Sequence, residues 1–313
     1  MRKLDTVLVT GGAGFIGSHL VDELLKQEYG VVVVDNLSTG NVENLDPSAL
    51  LYSWDIREFN SLEKLFQIHK PSYVFHLAAQ ISVSESTRDP KKDADINIIG
   101  MLNLLMLSAK YGVKKFIFSS SGGVMYGDNP DKIPTPESCK EDPVSPYGIS
   151  KLAGEKYLKF YSLEHGLEYV ALRYSNVYGP RQNPHGEAGV VAIFTKRMLE
   201  GKEVTIFGDG ENIRDYIYVK DVVSANMAAM KKAKNVSLNI STGLGTTVNE
   251  LFKKIHQLIP EYNLEPVYGP PRPGDLRKSI LDNSLAAEIL DWKPSWNLEE
   301  GLRETVEWFR GNS

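Results

Sequence analysis

Three glycines spaced as Gly11-x-x-Gly14-x-x-Gly17 stand between an apolar run, Thr6-Val7-Leu8-Val9-Thr10, and an amphipathic stretch from Ile16 to Gln27. Few chain paths fit that order. The run predicts a buried strand and the stretch a helix, and a helix N-terminus beside a tight turn is an anion site. Gly11 permits the turn, Gly14 lets backbone approach a pyrophosphate, and Gly17 lets the helix pack on the strand. A glycine turn alone fits a plain loop equally well. Here a second strand, Val31-Val32-Val33-Val34, also ends at Asp35, 18 residues beyond Gly17. That is close to the ~20 at which a carboxylate meets an adenosine ribose. Asp35 would repel a 2′-phosphate and no arginine follows it directly, so the pattern predicts NAD rather than NADP.

The alternation continues. Tyr73–Leu77, Lys115–Phe118 and Tyr169–Tyr174 read as strands, and Ser61–His69, Asp95–Tyr111 and Tyr147–His165 as helices. Near-continuous apolar strands between helices predict an α/β fold, a Rossmann-type doubly wound parallel sheet covered on both faces. After Asn176 the pattern loosens around Pro180, Pro184, Gly186 and Gly189, and again over Tyr268 to Gly274. These segments predict a smaller, loop-rich α/β second domain, and 313 residues suffice for one large core and a lesser one. Leu238-Asn239-Ile240-Ser241 reads as a late strand returning to the sheet. The expected division is 1–175, with about 212–241 returning, for the NAD-binding domain, and 176–211 with 242–313 for the second.

Composition excludes several classes. Apolar residues at 42% and charged residues at 24% are those of a folded globular chain, not a disordered chain, fibre or coiled coil. A net charge of −5 gives no general attraction for nucleic acid or anionic lipid. A lone cysteine, Cys139, a start without a signal-peptide pattern and no apolar run near about 18–20 residues lead to the expectation of a cytoplasmic protein. The six histidines show no ligand spacing, so no metal is expected.

Tyr147 and Lys151 are four residues apart, which places both on one helix face. An ammonium there is expected to favour the phenolate and lower the tyrosine pKa, making Tyr147 a usable base. By itself such a pair is as readily a solvated helix face; its place after four strands of a dinucleotide fold gives it weight.

Taken together, the glycine turn, Tyr147-x-x-x-Lys151, His76-Leu77-Ala78-Ala79 and Asn97 resemble the extended short-chain dehydrogenase/reductase superfamily. The run Arg173 to Gln182, the run Arg214 to Val222 and Arg272-Pro273-Gly274-Asp275 resemble its nucleotide-sugar branch, and most of all the UDP-glucose (UDP-galactose) 4-epimerase family. The resemblance implies an isomerase that binds NAD and a UDP-sugar, works as a homodimer, and uses Tyr147, Lys151 and a serine after the fourth strand. Counting forward along Ser119-Ser120-Ser121 selects Ser121; counting back from Tyr126-Gly127 leaves Ser120 open.

For the cofactor, the resemblance implies Gly11, Gly14, Phe15, Ile16 and Gly17 at the pyrophosphate. It implies Asp35 and Asn36 at the ribose, Asp55 and Ile56 at adenine, and Leu77, Ala78, Ala79, Asn97, Ser119, Tyr147, Lys151 and Tyr174 along the rest. For the substrate it implies Ser121, Tyr147, Asn176, Val190, Val191, Thr205, Ile206, Phe207, Arg214, Arg272 and Asp275, with the nucleotide sugar held by the second domain. Ser279 stands where glucose-restricted relatives often carry a bulky aromatic, which raises 2-acetamido sugars as a second substrate class. Rival expectations are a nucleotide-sugar 4,6-dehydratase, another NAD-dependent nucleotide-sugar oxidoreductase, and an NAD-sensing binding protein. Dehydratase relatives carry Asp-Glu after the catalytic threonine, where this chain has Gly122-Gly123.

Overall fold

The computed structural model describes residues 5–127, 130–184, 189–271 and 276–312. Strands β1 (Thr6–Thr10), β2 (Gly30–Val34), β3 (Leu50–Tyr52), β4 (Tyr73–His76), β5 (Lys115–Ser121) and β6 (Glu168–Tyr174) follow in chain order. They join β11 (Val236–Ile240) in one sheet ordered β3-β2-β1-β4-β5-β6-β11, and every pairing is parallel. The chain winds outward in opposite directions from β1 and β4. A crevice therefore opens beyond the carboxyl ends of these two strands, where such sheets bind ligands. The late strand at Leu238 does return to the sheet, beside β6. Strand β3 lies outside the sequence expectation: it is three residues long and sits at the sheet edge with Leu50 exposed, so no buried run marks it.

Alternate side chains of each strand feed opposite cores. Val7, Val9, Val33, Ile117, Leu172 and Leu238 pack toward α1 (Phe15–Lys26) and α8 (Val219–Lys232). Leu8, Val32, Val74, Phe116, Phe118 and Ala171 pack toward α2 (Phe59–His69), α5 (Gly100–Tyr111) and α6 (Pro146–His165). The expected helix from Asp95 to Tyr111 is present, its first five residues wound as a wide π-helical turn over Asp95–Ile99 that runs into α5, and the short helices α3 (Val83–Arg88) and α4 (Pro90–Ala94) precede it. That turn contains the buried Asn97.

A third core gathers Tyr178, Phe194, Met198, Leu251 and Leu302 from β7 (Asn176–Tyr178), α7 (Val190–Leu199), α9 (Val248–Leu258) and α11 (Leu298–Gly311). Around it, β7 pairs with β10 (Tyr216–Tyr218) and β8 (Thr205–Phe207) with β13 (Val267–Gly269). Strand β9 (Ile213–Arg214) lies between β12 (Thr246–Thr247) and β14 (Lys278–Ser279). Helix α10 (Ser284–Leu290) packs on α8 and β11.

Helix α6 brings the Tyr-Lys pair to the sheet. Its N-terminus is fixed by Pro146 in the first turn and by Ser145, whose hydroxyl accepts from the Gly148 amide at 3.2 Å. Gly154 lets it lie close: a Cβ there would come within 2.9 Å of Met101 Sδ and 3.0 Å of the Phe118 ring. Gly154→Ala should therefore cost about 1–3 kcal/mol of stability through overpacking. Urea unfolding checks this, and an unchanged midpoint would contradict the close approach.

Candidate active site

The glycine turn is built as an anion cradle. Gly11 adopts φ +71°, and a Cβ on Gly17 would stand 2.1 Å from the Gly11 carbonyl oxygen. Gly17 thus packs on the turn itself. Gly14 is the N-cap of α1 and no side chain caps the helix, so its first amides face the crevice without a side-chain acceptor. Asp35 is buried at the end of β2, with Oδ2 accepting from the Ala13 amide at 3.0 Å and Oδ1 from the Leu37 amide at 2.9 Å. Burial raises its pKa, these two bonds lower it, and no cation is among the groups acting on it. An uncapped glycine-lined helix end beside a cation-free carboxylate fits a dinucleotide lacking a 2′-phosphate.

The other residues expected at the dinucleotide differ in their surroundings. Asn36 donates to the Asp55 carboxylate at 2.9 Å, and Arg57 grips that carboxylate through two nitrogens. Arg57 is the main reason the Asp55 pKa lies well below the usual range. The side chain of Ile56 is buried in the core, leaving only its backbone for an adenine. Leu77, Ala78 and Ala79 follow β4, where the Asn97 side chain clamps the next residue, accepting from the Gln80 amide and donating to its carbonyl, both at 2.9 Å. His76, with Nδ1 2.7 Å from the Thr10 hydroxyl and its pKa lowered to about 3 by burial, is a packed structural residue.

At the end of β5 the three serines part ways. Ser120 is buried and donates to Glu155 Oε1 at 2.6 Å, within a network where Arg173 pairs with Glu155 at 2.7 Å and Glu141 at 2.8 Å. The Ser119 carbonyl accepts from Lys151 Nζ at 2.8 Å, and its hydroxyl bonds Tyr174. Of the three, Ser121 is the one that acts on the Tyr147 phenol, its hydroxyl drawing the phenol pKa down. This geometry favours Ser121 over Ser120, since Ser120 is committed to a buried carboxylate. Tyr174 is buried too, and its hydroxyl donates to Asn226 Oδ1 at 3.0 Å.

Lys151 is 4% exposed, with its amine 4.9 Å from the Phe118 ring centre and 5.6 Å from that of Tyr147. The expected effect of the ammonium on the phenol is overruled. Burial pushes Tyr147 up to about 12, the Ser121 bond lowers it, and the Asp93 charge raises it further. Burial likewise lowers the Lys151 pKa to about 8, against a smaller upward pull from Asp93. Desolvation outweighs the Ser121 bond at the phenol and the Asp93 charge at the amine, and neither group is among the main influences on the other.

Other residues expected for the substrate lie on β7, α7, β8 and β9. Asn176 is exposed at the start of β7, and its amide donates to the Asp215 carbonyl at 2.9 Å. The Asp215 amide in turn donates to the Ser279 carbonyl at 3.1 Å, and Arg214 is in register with Ser279. Asp215 itself is buried, accepting from the Thr242, Gly243 and Leu281 amides. It ties three expected substrate residues together, a role the sequence reading missed although it quoted the Arg214-Asp215 pair. Ser279 lines a narrow pocket with Gly122, Gly123, Tyr126 and Leu281, immediately past Ser121.

The side chains of Val191 and Ile206 are buried in the third core, which leaves their backbone for a nucleotide. Val190, Thr205 and Phe207 remain partly or largely exposed. Arg214 is half-buried, with Nη1 donating to the Ile213 carbonyl at 2.9 Å. Arg272 and Asp275 lie outside the described residues. Among the described residues no three His, Cys, Asp or Glu side chains group as metal ligands, and no helix is long and apolar enough to cross a membrane.

Residues 7–241 match the model of the NAD dependent epimerase/dehydratase family. The chain belongs to this family. It is 45% identical over 311 residues to the UDP-glucose 4-epimerase of Mycolicibacterium smegmatis, covering 98% of this chain and 99% of that one. The UDP-glucose 4-epimerase of Thermotoga maritima, solved with UDP-glucose, is 60% identical and superposes with a TM-score of 0.97 over 98% of this chain and 99% of that one. The UDP-N-acetylglucosamine 4-epimerase of Methanobrevibacter ruminantium, solved with UDP-N-acetylmuramic acid, is 40% identical with a TM-score of 0.93 and full coverage of both chains.

As a member of an NAD-dependent family, the chain should fail to bind its cofactor when the turn is filled. Gly17→Ala is expected to weaken NAD binding about tenfold or more, read by titration calorimetry. Affinity equal to wild type would contradict the cradle.

Proposed function

We propose that this protein interconverts UDP-hexoses epimeric at C4, UDP-glucose and UDP-galactose first among them, using NAD that is regenerated in each cycle. The observation that carries the reading is the convergence of the Tyr147 phenol, the Ser121 hydroxyl and the Lys151 amine beside the uncapped glycine turn. NAD, when bound, supplies the acceptor and later the donor of the C4 hydride. Tyr147 takes the proton of the sugar 4-hydroxyl, and Ser121, already bonded to the phenol, holds the same oxygen and relays the proton. Lys151 holds positive charge at the site and is offered for the nicotinamide ribose.

Anchoring falls to the opposite wall. Arg214, with Arg272 and Asp275 offered on sequence grounds alone, would hold the uridine diphosphate while the 4-keto sugar turns its other face. Binding energy from the unreactive nucleotide then serves the reaction. The division into an NAD-binding domain (1–175 with about 212–241) and a nucleotide-sugar-binding domain (176–211 with 242–313) is part of the same proposal. Ser279 beside Gly122 and Gly123 puts a small side chain where a bulky aromatic would narrow the pocket, which supports admission of 2-acetamido sugars.

Ile99 and Met106 on the α5 side and Ile149 and Phe160 on α6 are exposed apolar residues that the chain itself does not cover. We assign that face to a second copy of the chain. A free cysteine fits a cytoplasmic setting.

Purified protein with catalytic NAD should convert UDP-galactose to UDP-glucose. Tyr147→Phe should lower kcat by about 10² or more, and Ser121→Ala should also slow turnover, while Ser120→Ala retains most of it. Full turnover by Tyr147→Phe contradicts the assignment of the base. Ser279→Tyr should depress turnover of UDP-N-acetylglucosamine relative to UDP-glucose, and an unchanged ratio contradicts the pocket reading.

A further inference from the structure

Asp93, on α4, has no part in the chemistry described so far, yet it is 1% exposed and lies against the helix that carries Tyr147 and Lys151. Its Oδ1 accepts from the side-chain amides of Gln80 and Asn97, each at 3.0 Å, and its Oδ2 from the Ser150 hydroxyl at 2.5 Å. All three donors are neutral. A carboxylate removed from water is costly even when fully bonded. If the site required only a spacer, a neutral side chain would serve.

The donors come from three different elements. Gln80 follows the Leu77–Ala79 segment at the end of β4, and Asn97, from the π-helical turn, clamps the backbone of Gln80 on both sides. Ser150 precedes Lys151 on α6. One carboxylate thus bolts the Tyr-Lys helix to the loop expected to face the dinucleotide. It also acts on both members of the pair, favouring the protonated form of each.

We propose that Asp93 is a positioning residue for the epimerase reaction: its carboxylate fixes α6 against the loop after β4 and sets a buried negative charge on Ser150, the residue before Lys151. The inference rests on the function proposed above. The titratable groups near this cluster are few. Tyr147 and Lys151 face it from α6, and His76 at the end of β4 is held neutral by burial. From α3, Ser86 approaches and accepts from the Tyr147 amide at 3.2 Å. The charged residues Glu85, Arg88 and Lys92 pair with one another at the surface, and Asp95 pairs with Arg57.

Two measurements test it. The first uses cofactor-free protein carrying 13Cε-lysine, with the Lys151 signal assigned by its loss in Lys151→Arg. Asp93→Asn should move the Lys151 titration down by about one pH unit; a titration at the wild-type pH overturns the proposal. The second is the pH profile of kcat with UDP-galactose. Removing a negative charge favours both the phenolate and the neutral amine, so both limbs should shift to lower pH in Asp93→Asn. Ser150→Ala keeps the charge but loosens the bolt, and should lower kcat with the limbs in place.

A fall in kcat in Asp93→Asn with unmoved limbs would mean a merely structural role and overturns the proposal. If Asp93→Asn does not fold, Asp93→Ser carries the same comparison. Absence of UDP-galactose conversion by wild type at every pH would instead sink the epimerase reading, a result the lysine titration does not depend on.

Discussion

A buried ammonium is the constraint around which the site is arranged. Lys151 has little water left, and its amine is satisfied by the Ser119 carbonyl and by the faces of Phe118 and Tyr147. That solution works only if α6 lies close against the end of β5, which the side-chain-free Gly154 and the Ser145 cap make possible. Ser121, Tyr147 and the glycine turn then fall at the same crevice because β1 and β5 end there, on either side of β4. Catalytic geometry follows from sheet order and one helix contact.

The electrostatics run against the simple expectation. An ammonium four residues from a phenol is expected to ease its ionisation, yet in the protein alone the phenol is pushed up to about 12 and the amine down to about 8. Each group loses more by leaving water than its neighbours return, the Ser121 bond at the phenol and the Asp93 charge at the amine. Burial therefore disfavours the phenolate in the protein alone, and the work of Tyr147 as a base calls for positive charge added at the site.

Much of this was legible in the sequence because the relevant signals are local. Four consecutive valines, a glycine turn between a strand and a helix, and a tyrosine four residues before a lysine each carry their geometry with them. The late strand at Leu238 was legible for the same reason. What stayed hidden depends on distant neighbours. The three-residue strand at Leu50 has too few apolar residues to show a pattern. Three consecutive serines look alike until Glu155, Lys151 and Tyr147 each take one. That the side chains of Val191 and Ile206 belong to the third core shows only once α7 and β8 are packed. Asp93 has no sequence signal at all, since its three donors lie 13 residues before it and 4 and 57 residues after it.

The most direct test of hydride removal and return at one carbon is an isotope experiment. UDP-galactose deuterated at C4 is incubated with the protein and catalytic NAD, and the UDP-glucose formed is examined by mass spectrometry and proton NMR. Retention of deuterium at C4, without exchange into solvent and without net consumption of NAD, is the predicted result. Loss of the label to water, or product formed only in proportion to the NAD supplied, would contradict it.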